Sequence, residues 1–308
     1  MKNLHLDRYT ATDIDLHVSK ILRDLGNPPP PLDLDKVREL LKLAREYYSN
    51  TDDGVFKRWI HSLKLAGKQI AERPAFLKDL VQSFRLDALC LFDEKRILIS
   101  SELPEPKQRW AEGHEIGHTI IPWHGPISLG DDKYTLTANC HDAMEAEANY
   151  GARRLLFLRD QFRTHALSSP PTLKHIRDLK GIFQNTMTTT FYALVEELDI
   201  PAFGLITDHP RRPSTAFNPQ IPARHFITSL PFDRQFGSLT QRDLYRRVQG
   251  YCGWGKWDLG RSDEILVNTR GESYIFHLET VFNTYDALTL GVLVGPHKLL
   301  VGIASHCP

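Results

Sequence analysis

The chain has 308 residues, room for two domains of ordinary size, and its 41% hydrophobic and 25% charged residues exclude disordered, collagen-like and coiled-coil classes. Its 38 Lys plus Arg offset 38 Asp plus Glu, so no global positive field draws it to nucleic acid or to an anionic membrane. Cys90, Cys140, Cys252 and Cys307 are too widely spaced for a disulfide framework or a metal knuckle, and no secretory or membrane-spanning apolar run stands out, so the expectation is a cytoplasmic protein with reduced thiols and no membrane contact.

Thr12 is placed to cap a helix over 13–25, with Ile14, Val18, Ile21, Leu22 and Leu25 at helical spacing and Gly26 as its stop. The prolines at 28–31 form a stiff spacer, and Asp33 or Asp35 opens a second amphipathic helix through Val37, Leu40, Leu41 and Leu43. An apolar pattern runs over 56–70, and a further helix is predicted over 75–84. The runs 88–92 and 96–100, separated by Asp93, Glu94 and Lys95, predict a hairpin. Residues 107–121 read as one helix closed by Pro122, followed by a loop of about twenty residues and a helix from a cap at Asp142 to Leu158. Helices over 173–183 and 188–198 and a strand over 202–206 come next. The stretch 208–222 holds four prolines and no periodicity and reads as a linker. Beyond it a helix near 239–248 and strand runs at 264–268, 273–282, 288–294 and 299–304 predict a small α+β domain. The expected organisation is an N-terminal helix or arm (1–27), a main domain (28–207), the linker (208–222) and an accessory domain (223–308).

His114, Glu115 and His118 spell HExxH within the helix over 107–121. At about 100° per residue the two histidines stack on one face, where both can aim a ring nitrogen at one ion. A catalytic zinc needs a third protein ligand and an open fourth position. In the downstream helix Glu145, Asn149 and Arg153 share a face, so Glu145 is assigned as third ligand, with Glu147 as runner-up. Asn149, one turn on, is assigned to hydrogen-bond a ligand histidine and fix its ring. Zinc in such a site makes water nucleophilic near neutral pH, and Glu115 is placed to take its proton and pass it to a leaving amine, which is peptide hydrolysis. For the oxyanion, the intervening stretch offers His124, Tyr134 and His141, among which the sequence does not choose.

HEIGH at 114–118, followed after 26 intervening residues by EAEANYGARRLL from Glu145, resembles the ImmA/IrrE family of zinc metallopeptidases, marked by HExxH and then an E-x-E-A-N-x-F-A helix. The resemblance extends over roughly residues 28–206, through PPPPLDLDKVREL and RILISSELPEPKQRWAEGHEIGH. It implies an α+β fold: a mostly helical zincin-like domain with a small sheet, and here a C-terminal accessory domain. It also implies His114, His118 and Glu145 as ligands of one zinc, Glu115 as catalytic base, and Asn149 in the family's asparagine place. Two positions depart: Gly151 stands for the pattern's phenylalanine, and Leu158 for a proline that usually follows. By the same resemblance the protein substrate is a helix-turn-helix repressor in a bacterial or phage regulatory circuit. The competing reading is a non-catalytic regulatory protein that uses the zinc site as a scaffold.

The helices over 173–183 and 188–198 look superficially like a helix-turn-helix, but the second carries Glu196 and Glu197, is followed by Asp199, and has no Lys or Arg. A recognition helix is expected to be basic, so the pair is read as packing against the peptidase core and direct DNA binding is not expected. YCGWGKWDLG at 251–260 is read as packing beneath a loop, with a small-molecule pocket as the alternative, and the accessory domain, by analogy with relatives, as a sensor.

Overall fold

The computed structural model describes residue 3 and residues 5–48, 88–91, 95–125 and 138–297; the elements expected at 56–70, 75–84 and 299–304 lie outside them. The fold is mixed α+β. The chain divides into two compact units, one of Leu6–Thr164 with Lys180–Thr186, the other of Met1–His5, His165–Leu179 and Met187–Pro308.

In the first unit, helix α1 spans Arg8–Asp24. Its cap is Asp7, not the expected Thr12: the Asp7 carboxylate accepts from the backbone N–H groups of Tyr9 and Thr10, while Thr12 Oγ1 bonds back to Arg8 O inside the helix. A carboxylate both accepts these bonds and complements the positive end of the helix. Helix α2, Leu34–Leu41, is capped by Asp33 and stopped at Lys42, whose φ of 57° leaves the helical region. Leu43, expected in that helix, therefore leads into a strand, β1 (Ala44–Tyr48). The hairpin forms as expected, β2 (Ala88–Leu91) antiparallel to β3 (Arg96–Ser100), and β1 adds to the other edge of β3 in parallel. The order is β1-β3-β2, with Ile97, Leu98 and Ile99 buried in the middle strand.

Helix α3, Glu105–Ile120, starts two residues before the expected 107, because Glu105 and Pro106 occupy its first turn, where a missing N–H costs no helical bond. Helix α4, Ala138–Leu156, likewise begins ahead of Asp142. The two helices approach closely at Gly117, where an added Cβ would lie 2.6 Å from Ala148 O. Helix α1, within the segment 1–27 expected as a helix or arm, lies on α4 as part of this unit. Ile14 and Val18 are fully buried, and Arg154 Nε donates to Asp15 Oδ1 at 2.7 Å. The same contact accounts for Gly151: a Cβ there would already sit 3.4 Å from Ile14 Cγ2, so α1 occupies the space a phenylalanine would take. Leu158 follows α4 with φ of 56°, a backbone that proline cannot adopt. Glu112, buried on α3, accepts from Arg38 Nε of α2 at 2.6 Å and Arg45 Nη1 of β1 at 3.0 Å, tying both elements to the helix that carries HExxH. Such a pair strongly holds geometry, since removing one partner strands a buried charge.

Helices α5 (Asp160–Leu167) and α6 (Leu173–Phe183) cross the division between the units. The second unit continues with α7 (Met187–Glu197), β4 (Ala202–Thr207), β5 (Ala223–Thr228), α8 (Leu230–Phe236), α9 (Gln241–Tyr251), β6 (Asp258–Val267), β7 (Ser273–Phe282) and β8 (Ala287–Pro296). Its sheet runs β5-β4-β8-β7-β6, antiparallel throughout. The expected linker at 208–222 therefore joins two neighbouring strands of one sheet, and β4, expected in the peptidase domain, belongs to the second unit. All six β4 residues are buried, so both faces of the strand are covered, and it pairs with β5 on one edge and β8 on the other. Helix α7 buries Phe191, Leu194 and Val195, and an added Cβ at Gly204 of β4 would lie 2.5 Å from Phe191 Cε1. It packs on this sheet. Phe203, Phe232, Phe236, Leu244 and Phe276 centre the apolar core. In the 251–260 segment Cys252 is buried, but Trp254 and Trp257 are each 63% exposed, against the expectation that the segment packs. No helix among the described residues is long and apolar enough to cross a membrane.

Candidate metal centre

The HExxH spacing does on α3 what helical geometry dictates. The rings of His114 and His118 meet edge to face with centroids 4.8 Å apart, and their Nε2 atoms lie 3.2 Å apart. Glu145 reaches them from α4, Oε2 at 3.2 Å from His114 Nε2 and Oε1 at 3.5 Å from His118 Nε2. The three donor atoms lie within 4.8 Å of one another, the one group of this kind among the described residues. Ligand atoms bound tetrahedrally at about 2.0 Å stand about 3.3 Å apart, so two imidazoles and a carboxylate at these separations fit a zinc-sized ion with a further position open. The side chains of His114 and His118 are 16% and 12% exposed and that of Glu145 39%, so the cluster opens to solvent on its carboxylate side.

Electrostatics bind the cluster together. Burial disfavours the charged form of His114, but its hydrogen bond to Glu145 and the charges of Glu115 and Glu145 outweigh that and raise its pKa. Burial likewise works against the Glu145 carboxylate, yet the two histidines hold its pKa well below the ordinary range. Glu115 is 8% exposed and close enough to favour protonated His114. Asn149 also favours the protonated ring, although the buried Nδ1 of His114 meets no partner at full hydrogen-bond geometry.

Behind His118 lies a second layer that the sequence reading divided differently. His118 Nδ1 is 2.9 Å from His124 Nδ1, and His124 Nε2 is 3.0 Å from Glu147 Oε2. The same Glu147 oxygen accepts from Trp123 Nε1 at 2.6 Å. His124, expected among the oxyanion stabilisers, is 0% exposed with both nitrogens engaged, so it offers a substrate nothing. Burial, reinforced by the neighbouring His118 charge and only partly offset by Glu147, pushes its pKa down to about 4, which keeps it neutral. Glu147, the runner-up ligand, faces this layer and not the cluster. Of the other two oxyanion candidates, Tyr134 lies outside the described residues, and His141 lies on α4 with its side chain outside them. The sequence reading missed Trp123 and Glu112; the sole signal for Trp123 was Pro122, which ends α3 and turns the chain back on itself.

Residues 73–192 match the family model of the IrrE N-terminal-like domain, a stretch that holds both motifs. No curated protein matches the chain. Among solved structures, a Mycobacterium tuberculosis transcriptional regulator is similar at 14% identity and a TM-score of 0.48, over 92% of this chain and 88% of that one. Residues 73–192 thus carry an IrrE N-terminal-like domain, in line with the resemblance to the ImmA/IrrE family read from the two motifs.

Proposed function

We propose that this protein is a cytoplasmic zinc-dependent endopeptidase that cuts a helix-turn-helix transcriptional repressor, as the family resemblance implies. One observation carries the enzymatic reading: His114, His118 and Glu145 present three donor atoms within 4.8 Å of one another on the HExxH helix and its neighbour. Helix α3 backed by α4, beside a small sheet, is consistent with a zincin-like layout. A zinc ion held by those three residues supplies Lewis acidity, which makes water nucleophilic near neutral pH and polarises a peptide carbonyl. Glu115 acts as general base, taking a proton from the attacking water as the new C–O bond forms, and then as general acid, delivering it to the amine nitrogen as the C–N bond breaks. Glu196 and Glu197 at the end of α7, with Asp199 just beyond it, disfavour direct contact with DNA. The second unit is the accessory, sensor-like part of this reading.

The test is cleavage of a purified helix-turn-helix repressor by the zinc-loaded chain, read by mass spectrometry, beside Glu115→Gln. The expected outcome is an unchanged zinc content and a cleavage rate lower by about 10²–10⁴-fold in the variant. Cleavage by Glu115→Gln at the parental rate would overturn the assignment.

A further inference from the structure

The proposed chemistry leaves unused the buried array of Trp123, His124 and Glu147. We propose that Glu147 and His124 are positioning residues: a relay of hydrogen bonds, Glu147 to His124 to His118, that fixes His118 in the tautomer whose Nε2 lone pair faces the metal position. The proposal rests on the reading of His114, His118 and Glu145 as ligands.

Proton counting along the chain carries it. An indole nitrogen only donates, so Trp123 Nε1, 2.6 Å from Glu147 Oε2, requires that oxygen to accept. The same oxygen lies 3.0 Å from His124 Nε2, which therefore carries the proton of that ring. A neutral imidazole has one N–H, so His124 Nδ1 is an acceptor. The contact of 2.9 Å between His124 Nδ1 and His118 Nδ1 needs one proton, and only His118 can supply it. His118 is then protonated at Nδ1 and bare at Nε2, the atom that faces His114 and Glu145. Ligand histidines ordinarily donate their second nitrogen to a carboxylate or carbonyl. Here a second imidazole is interposed, and the helix geometry gives the reason. Glu145 and Glu147 are two residues apart on α4, about 200° around its axis, so one helix offers a carboxylate to the metal position and another to an anchor behind it. His124 is fully buried, which leaves its ring no water to trade partners with.

The test compares zinc affinity, by chelator competition on the full chain, across two pairs of variants. His124→Phe and Glu147→Leu fill the space but break the relay. His124→Gln keeps an acceptor for His118 and a donor for Glu147, and Glu147→Gln keeps an acceptor oxygen for His124 and Trp123. The expected result is a loss of about 10–100-fold in affinity for the apolar variants, with the glutamine variants close to the parent. Melting of the metal-free proteins checks that all four fold. Where the apolar variants do not fold, the glutamine variants decide alone: near-parental binding supports the relay, and a 10–100-fold loss overturns it. Apolar variants that fold and bind zinc as tightly as the parent also overturn it. Glu145→Ala separates this from failure of the ligand assignment, because a parent that binds no zinc, or an unaffected Glu145→Ala, removes that reading itself.

Discussion

His114 must be neutral to donate to a metal, yet in the metal-free protein Glu145 and Glu115 prevail over burial and favour its protonated form. A metal and a proton therefore compete for one nitrogen. The sign follows from the raised pKa: as pH falls, His114 takes up its proton at a pH above the ordinary 6.5, and metal affinity begins to fall there. Chelator competition across a pH series should show zinc affinity falling with an onset above 6.5, by about tenfold per pH unit where one proton is displaced. Affinity that stays flat until the pH is below 6.5 would contradict it. The pairing of His114 with His118 was legible in the sequence, because a 100° step per residue converts spacing into a shared face, whereas Glu145, on another helix, followed from the face it shares with Asn149 and from the family motif. The relay was not legible. It depends on where the chain goes after Pro122, which no periodicity records, so His124 stood as one of three oxyanion candidates among which the sequence does not choose.

The site is assembled only if α3 and α4 lie at the right separation, and Gly117 sets it. A Cβ at position 117 would fall 2.6 Å from Ala148 O, a backbone atom that can yield only if the helix moves. Glu145 lies one turn before Ala148 on the same helix, so a displaced α4 carries the carboxylate away from the histidines. Gly113 is a control. Its added Cβ would meet the buried Leu156 side chain, Cδ1 at 2.6 Å and Cγ at 2.9 Å, and not the backbone of α4. In an unconstrained helix Gly→Ala stabilises by about 0.5–1 kcal/mol. Gly117→Ala should instead destabilise by about 1–3 kcal/mol, the usual cost of overpacking, and weaken zinc binding more than Gly113→Ala does. Denaturant melts and chelator competition on both variants check this, and equal zinc affinity in the two would place the control of spacing elsewhere. At this scale too, sequence legibility followed local physics. The hairpin of β2 and β3 and helices α3 and α6 announced themselves by pattern, whereas β1 exists because β3 offers it an edge, and AREYY by itself carries no strong strand signal.

The division of the molecule was misread because proline content marks irregular backbone, not domain boundaries. The segment 208–222 is irregular but anchored: Ser214 N donates to Asp208 Oδ2 at 2.8 Å, and Arg211 Nε donates to Cys252 O at 2.8 Å. What decides membership is the sheet. Every β4 residue is buried, with Phe203 and Leu205 in the core shared with α8 and α9, and β4 bonds to β5 along one edge and β8 along the other. A chain cut after Thr207, as the proline-rich stretch invites, keeps β4 and α7 but removes both strand partners. That leaves two unpaired edges and an apolar face in water, the condition under which strands recruit other chains. A chain cut after Thr186 retains every residue of the first unit, including α3, α4 and the three proposed ligands, and omits β4. The shorter protein should be the better behaved: monomeric by size-exclusion chromatography and able to bind one zinc, where the chain ending at Thr207 aggregates. If the longer one is instead soluble, monomeric and more stable, β4 and α7 fold with the first unit in the absence of their sheet, and the boundary at 165–187 is wrong.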